Sequence, residues 1–205
     1  MSKPNYYISV PVIVLPKHLA HATERFTRLS SLVMNIGTKV LRKVLLHYTN
    51  TSLDQYMKNN KHDILKLQSR KVLTQAQVDI IFPQSLQTDI DQYDITLASA
   101  LLSNIYPSLG MQEKQIIADL RTQRNLLAHY PSTRMNEQDF QAKWTEVTMT
   151  LIDLSNLCKD SNFKKNIKKE IKDIQQTGLF AILSHLPEIT EEMKRGCRIL
   201  KDIGT

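Results

Sequence analysis

Two arginines, an asparagine and a histidine lie at helical spacing in the central part of the sequence. On an α-helix Arg121, Asn125 and His129 align at successive i, i+4 steps, and Arg124 lies beside Arg121 at i+3. A histidine titrates near neutral pH, and guanidinium groups bind phosphate oxygens. Such groups fit metal-independent cleavage of RNA, in which the 2′-hydroxyl attacks the adjacent phosphorus. Histidine would move protons, and arginine would stabilise the charge that gathers on the phosphate oxygens.

The geometry of one helix limits how these groups can cooperate. Arg124 and His129 are five residues apart, so they point about 140° away from each other on an ideal helix. They act on the same phosphate only if His129 lies at a fraying helix end, which Pro131 favours, or if a second chain faces the first.

The spacing of an arginine and a histidine is weak evidence by itself. A chain with 9 arginines and 6 histidines is expected to contain about one such pair by chance. A second pair does occur, at Arg42 and His47. On spacing alone, Arg124 and His129 are better explained as a surface arginine and a helix-terminal histidine.

Other kinds of catalytic site find no support in the sequence. It has no carboxylate cluster suited to Mg²⁺ and no Cys/His set suited to Zn²⁺, and His18 and His21 form an isolated pair. It also lacks a glycine-rich phosphate loop and an activated-serine motif. We therefore expect neither a metal nor a cofactor.

Composition indicates a globular protein with a basic surface. The 205 residues are 41% hydrophobic, carry a net charge of +7, and contain no apolar run long enough to span a bilayer. We expect no membrane association. Cys158 and Cys197 predict reduced thiols in a cytosolic or nuclear protein, and we expect a cytoplasmic location. The lysine-rich stretch 164–172 is either an RNA-binding tract or a solvated helix face.

Hydrophobic periodicity predicts an all-α protein built as an antiparallel helical bundle. We expect an extended N-terminal arm over residues 1–20, the bundle over 21–158, and a basic C-terminal helical extension over 159–205. The predicted helices cover about 19–48, 62–71, 75–82, 94–105, 112–129 and 136–158, with two more after 160. Three of them are predicted to begin at caps: a capping box at Thr74 and Gln77, Asp94, and Asn136. The predicted apolar sides of the last two listed helices are Ile116, Leu120, Gln123 and Leu127, and Phe140, Trp144, Val147, Leu151, Leu154 and Cys158. Gly37 interrupts the first, which indicates either a kink or close helix packing.

Four blocks of sequence resemble, in order, one known family. They are RLSSLVMNIGTKVL at 28–41, VLTQAQVDIIFP at 72–83, the helix at 94–105, and residues 121–129 followed by DFQAKW at 139–144. Together they span about 24–158 and resemble the HEPN-like domain of the DAZ-interacting zinc-finger ubiquitin ligase. That module is also found in multidomain innate-immunity-like animal proteins.

The resemblance implies a function for the central polar residues. HEPN domains are all-α bundles that usually pair two-fold, and many carry an Arg-polar-x3-to-x5-His motif where two copies form one metal-independent endoribonuclease site. Arg124, Asn125 and His129 match this motif, whereas Arg42 and His47 fall outside it. The resemblance implies a homodimer that cleaves single-stranded RNA with Arg124 and His129 as catalytic residues.

Further residues and partners follow from the same resemblance. Asn125 would orient the site, and Arg121 and Tyr130 would contact RNA. Leu126 departs from the pattern, since relatives often have an acidic residue there. Some HEPN domains have lost activity, so the alternative is a non-catalytic dimerisation or RNA-binding module with protein partners in innate-immune or ubiquitin signalling. A helical adaptor unrelated to nucleic acid is a third possibility.

Overall fold

The computed structural model describes residues 17–84 and 87–176, and these residues are helical with no β-strand. The predicted all-α bundle is confirmed. The α-helices, with a π-helical segment at Leu32–Gly37 and a 3₁₀ turn at Ile90–Gln92, are α1 (Lys17–Ser31), α2 (Thr38–Tyr48), α3 (Leu53–Asn59), α4 (Lys61–Ser69), α5 (Gln75–Ile81), α6 (Ile95–Ile105), α7 (Met111–Ala128), α8 (Glu137–Leu157) and α9 (Ser161–Gln176). No helix in this part of the chain is long and apolar enough to cross a membrane.

Side-chain caps fix the start of several helices. The predicted capping box at α5 is present: the Gln77 N–H donates to Thr74 Oγ1 at 3.2 Å, and the Thr74 N–H donates to Gln77 Oε1 at 2.9 Å. Asp94 caps α6 and Asn136 caps α8, each accepting a backbone N–H at 2.7 Å. The first N–H groups of a helix have no partner within the helix, and these side chains accept their hydrogen bonds. Because each cap lies within three residues of the N–H group that it accepts, the three helix starts could be predicted from the sequence.

Gly37 allows close packing at the end of the π-helical segment. A Cβ at this position would lie 3.3 Å from Ile95 Cδ1 and 3.3 Å from Leu120 Cδ2. The long predicted helix over 19–48 is thus divided by the π-helical segment, and glycine at its end lets α6 and α7 approach the backbone closely.

The α8 helix lies at the centre of the bundle. It packs against α1, α2, α7 and α9 and against the π-helical segment. Its predicted stripe is buried in full, which confirms the helical period: Phe140, Trp144, Val147, Leu151, Leu154 and Cys158. The α7 helix packs between α6 and α8, so only its outer side remains available to other molecules.

The structure corrects several details of the predicted organisation. The α1 helix begins at Lys17, so the last four residues of the predicted arm are helical. In α9, the part of the predicted C-terminal extension that the structure describes, Ile167 and Ile171 are buried in the common core. The α3 helix was not predicted. Residues 1–16 and the predicted helix near 189–200 lie outside the described residues.

Candidate functional site

The buried side of α7 fixes which of its residues face outward. Leu120, Gln123 and Leu127 are buried as predicted, and Ile117 is fully buried where the half-buried Ile116 was expected. The Gln123 side-chain amide donates to the carboxylate of Glu146 on α8. These contacts fix the rotation of α7 about its axis relative to α8.

The predicted polar residues lie away from this buried side. Asn125 and His129 are exposed, while Arg121 and Arg124 are half-buried at the flank. A hydrogen bond of 3.4 Å from Arg124 Nη1 to Asn125 Oδ1 is the polar contact that the structure gives to Arg124. At this distance the bond is weak, so the guanidinium keeps most of its donors for another molecule.

His129 lies where α7 ends. Its backbone N–H still donates to the Asn125 carbonyl at 3.1 Å, but its φ of −106° and ψ of 12° depart from helical values. Arg124 and His129 make no hydrogen bond with each other in the described part of the chain. One chain therefore presents the two groups without joining them into a site.

Tyr130 follows His129 and is half-buried against α1. Its ring lies 5.8 Å from that of Phe26, centroid to centroid, and its hydroxyl donates to Asp139 Oδ2 at 3.4 Å. Burial, and to a smaller extent the Asp139 carboxylate, raises the pKa of the Tyr130 phenol. The contact with Phe26 thus holds the Tyr130 ring in place. The ring remains partly exposed, and Tyr130 directly follows His129 in the chain.

A set of contacts from α1 holds the loop between α7 and α8. The Arg25 Nε donates to the Met135 carbonyl at 2.9 Å, and its Nη1 lies 2.9 Å from Glu137 Oε2. The Met135 N–H donates to the Ala22 carbonyl at 3.1 Å, and the Met135 side chain is fully buried. These residues support the loop after His129. Sequence reasoning missed them, because partners about 110 positions apart leave no periodic signal.

The second arginine–histidine pair has a different environment. Arg42 donates from Nε to the Tyr93 carbonyl at 2.8 Å and from Nη2 to the Asp91 carbonyl at 2.5 Å, and it forms an ion pair with the Asp91 carboxylate at 3.3 Å. It therefore attaches α2 to the segment that precedes α6. His47 is exposed and lies edge-on to the ring of Tyr48.

Metal-donor groups and surface pockets are the other features at which a ligand could bind. No group of three or more His, Cys, Asp or Glu side chains in residues 21–84 and 87–176 is placed to share a metal ion. Two open surface pockets occur in the same part of the chain. One is acidic and lined in part by Asp79 and Asp89, and the other lies between α2 and the start of α9 and contains Cys158.

A family comparison assigns the chain. Residues 50–177 match the model of the family described as DZIP3/hRUL138-like HEPN. This range is more than half of the chain, contains all five candidate site residues, and extends through α9, beyond the end of the resemblance seen from sequence. No curated protein and no solved structure gives a significant match. The chain belongs to the DZIP3/hRUL138-like HEPN family.

Proposed function

We propose that this HEPN domain is a metal-independent endoribonuclease that cleaves single-stranded RNA as a homodimer. The observation that supports it is the exposure of the motif: Asn125 and His129 face outward, and the polar contact of Arg124 in the described part of the chain is one weak hydrogen bond. The arginine of the other pair, Arg42, has several intrachain partners instead.

The proposed reaction is a transesterification. A histidine removes the proton from a ribose 2′-hydroxyl, whose oxygen attacks the adjacent phosphorus. The bond from phosphorus to the 5′-oxygen breaks, and a second histidine, protonated, donates its proton to that leaving oxygen. The products are a 2′,3′-cyclic phosphate and a free 5′-hydroxyl. Arg124 stabilises the negative charge on the non-bridging oxygens in the transition state.

A homodimer would supply the second histidine that one chain lacks. The reaction uses one histidine as base and another as acid, and each chain presents one His129 at the end of α7. A two-fold axis at this end would bring two His129 and two Arg124 side chains to one phosphate. Asn125 would orient the site, and Arg121 and the exposed part of Tyr130 would hold the flanking phosphate and base.

His129→Ala tests the proposal, with His47→Ala as the matched control. Both histidines are exposed, follow an arginine by five residues and lie near the end of a helix. Cleavage of a fluorescent single-stranded RNA is measured with EDTA present, together with the chemical ends of the products. We expect His129→Ala to lose about 10²–10⁴-fold in rate, the usual contribution of a general acid or base. His47→Ala should retain the activity.

Light scattering and circular dichroism establish that both variants remain folded and in the same oligomeric state. Equal loss in both variants, or products without a cyclic phosphate, would contradict the proposed roles. RNA with 2′-deoxyribose at every position should resist cleavage, because the attacking group is absent.

The non-catalytic module remains the second candidate, favoured by one observation. Leu126, at the position where relatives often carry an acid, is 47% exposed beside the motif. An exposed leucine there suits an apolar contact with a second copy or with an innate-immune or ubiquitin-pathway protein. A wild type that forms dimers and binds RNA or a protein partner, but does not cleave, would favour this alternative.

A further inference from the structure

Four lysines form an exposed ridge along α9. Lys165, Lys168, Lys169 and Lys172 are all exposed and follow one another at i, i+3, i+4 and i+7, which places them on one side of the helix. We call them the lysine ridge. At 1.5 Å per residue, the ridge is about 10 Å long.

The opposite side of α9 fixes the ridge in place. Ile167 and Ile171 are buried in the common core, so the helix cannot rotate to bury or redirect its lysines. α9 packs against α8, the π-helical segment and α1. The ridge is therefore a fixed feature of the folded surface.

The charge of the ridge is not neutralised by the described part of the chain. None of its four lysines forms an ion pair with another described residue, whereas nearby basic residues do. Lys39 Nζ lies 2.6 Å from Glu170 on the flank of α9, and Lys43 Nζ lies 3.4 Å from Asp160 at its start. Four lysines without a described ion partner thus lie close together, at distances at which like charges repel, with the exposed Asp173 at the edge of the ridge.

The chemistry of the ridge favours a nucleic acid as its ligand over a membrane surface or a protein partner. A membrane-bound helix inserts its apolar side into the lipid, but the apolar side of α9 is buried in the core. Protein interfaces are depleted in lysine and rely on apolar or aromatic anchors, and α9 exposes no large apolar side chain in its described length. Lysine ammonium groups are point charges that suit a phosphate backbone of any sequence.

We propose that the lysine ridge is a phosphate-binding surface that holds the backbone of the RNA substrate independently of its sequence. The proposal rests on the proposed function for the identity of the polyanion. α7 and α9 both pack against α8, so the ridge and the Arg124–His129 motif lie on separate helices. In this proposal the ridge supplies affinity for RNA, and the motif supplies the reaction.

The test compares two variants that remove the same charge. One carries Lys165→Gln, Lys168→Gln, Lys169→Gln and Lys172→Gln, and the other carries Lys→Gln at four exposed lysines of the α3–α4 region. These control positions are Lys58, Lys61, Lys66 and Lys71. Glutamine keeps helix propensity and removes only the charge. Both are made in the His129→Ala background, so that the RNA stays intact, and binding to fluorescent poly-uridine is measured against salt.

Counterion release makes the expected result quantitative. Each phosphate contact on a single strand contributes a slope of about −0.7 to log K against log salt. Loss of the ridge should reduce that slope by about 2 to 3 and weaken binding at least tenfold at low salt. The control variant should keep the slope of the parent protein, because its lost charges lie elsewhere.

The outcomes separate this proposal from the nuclease proposal. Loss of slope in the ridge variant alone supports the ridge, even if the wild type proves unable to cleave RNA. Equal slopes in the two variants, with both folded by circular dichroism, overturn it, even if the wild type cleaves. An absence of RNA binding by the parent protein overturns it too. The same holds if the ridge mutations abolish binding to anionic phosphatidylserine vesicles but not to RNA.

Discussion

The two arginine–histidine pairs of this chain share a spacing of five residues and differ in what surrounds them. On α2, Arg42 is held by the Tyr93 and Asp91 carbonyls and by the Asp91 carboxylate. On α7, the recorded polar contact of Arg124 is the 3.4 Å bond to its neighbour Asn125. One guanidinium joins two segments of the fold, and the other has one weak hydrogen bond among the described residues.

The difference comes from where each helix lies. α2 packs against α6 and α8, and its arginine reaches the carbonyls of the segment that leads into α6. α7 packs against α6, α8 and the π-helical segment, but Asn125 and His129 of its motif face away from these neighbours. Sequence spacing alone cannot distinguish the two pairs; the surroundings of the arginine can.

The largest expected effect separates the pairs by activity. We expect Arg124→Ala to reduce the rate of RNA cleavage by about 10²–10³-fold, since it removes a donor that stabilises charge in the transition state. Arg42→Ala should cleave normally per folded molecule. The measurement is single-turnover cleavage with EDTA present, corrected for the folded fraction.

The conservative change Arg124→Lys sharpens this prediction. Lysine keeps the charge but loses the planar pair of donors, so it should recover only part of the lost rate. Full activity in Arg124→Ala would exclude a catalytic role for this arginine and leave the two pairs equivalent.

The next effect concerns stability, for which we expect Arg42 to matter more than Arg124. We expect Arg42→Ala to lower the free energy of unfolding by about 1–3 kcal/mol, because it leaves the Tyr93 and Asp91 carbonyls without their charged donor. Arg124→Ala should change it by no more than about 0.5 kcal/mol, as for other surface substitutions. Urea unfolding followed by circular dichroism measures both. A larger loss in Arg124→Ala would show that its side chain has a structural role.

Most of the fold could be predicted from local patterns. The buried stripe of α8 and the caps at Thr74, Asp94 and Asn136 depend on residues close together in sequence, and all were confirmed. The missed α3 helix shows the limit of such patterns. It is seven residues long and buries only Met57 fully, so it has almost no hydrophobic period to detect.

Contacts between distant residues were not predictable. The support of the α7–α8 loop by Arg25, and the attachment of α2 to the 3₁₀ turn by Arg42, join residues 110 and 51 positions apart. An arginine has the same appearance in sequence whether it is bonded within the chain or exposed. The outward side of α7 followed from its helical period, but the partner that would complete the site is not part of one chain.

The last contrast concerns the surroundings of the first pair. Cys158 is buried and lies in the pocket that Lys43, His47 and Asp160 also line. Burial raises the pKa of its thiol to about 11; the Lys43 ammonium lowers it by less, and Asp160 adds slightly to the increase. The thiol is therefore protonated at neutral pH. If His47 belonged to a reactive cysteine site, Cys158 would instead be a thiolate at neutral pH.

Thiol chemistry in the native protein tests this view of the α2 region. At pH 8.5 an ordinary cysteine is about half ionised, whereas a thiol with a pKa of about 11 is ionised on the order of a few parts per thousand. We expect native Cys158 to react with iodoacetamide at least a hundredfold more slowly than in urea-unfolded protein, with peptide mass mapping to identify the residue. Its contribution to stability should be constant below pH 8.5 and fall as the pH rises towards 11, because the unfolded chain then loses its proton first. Comparison with Cys158→Ala isolates that contribution. Rapid native alkylation would show an accessible thiolate beside His47, and the contrast between a structural first pair and an available second pair would then fail.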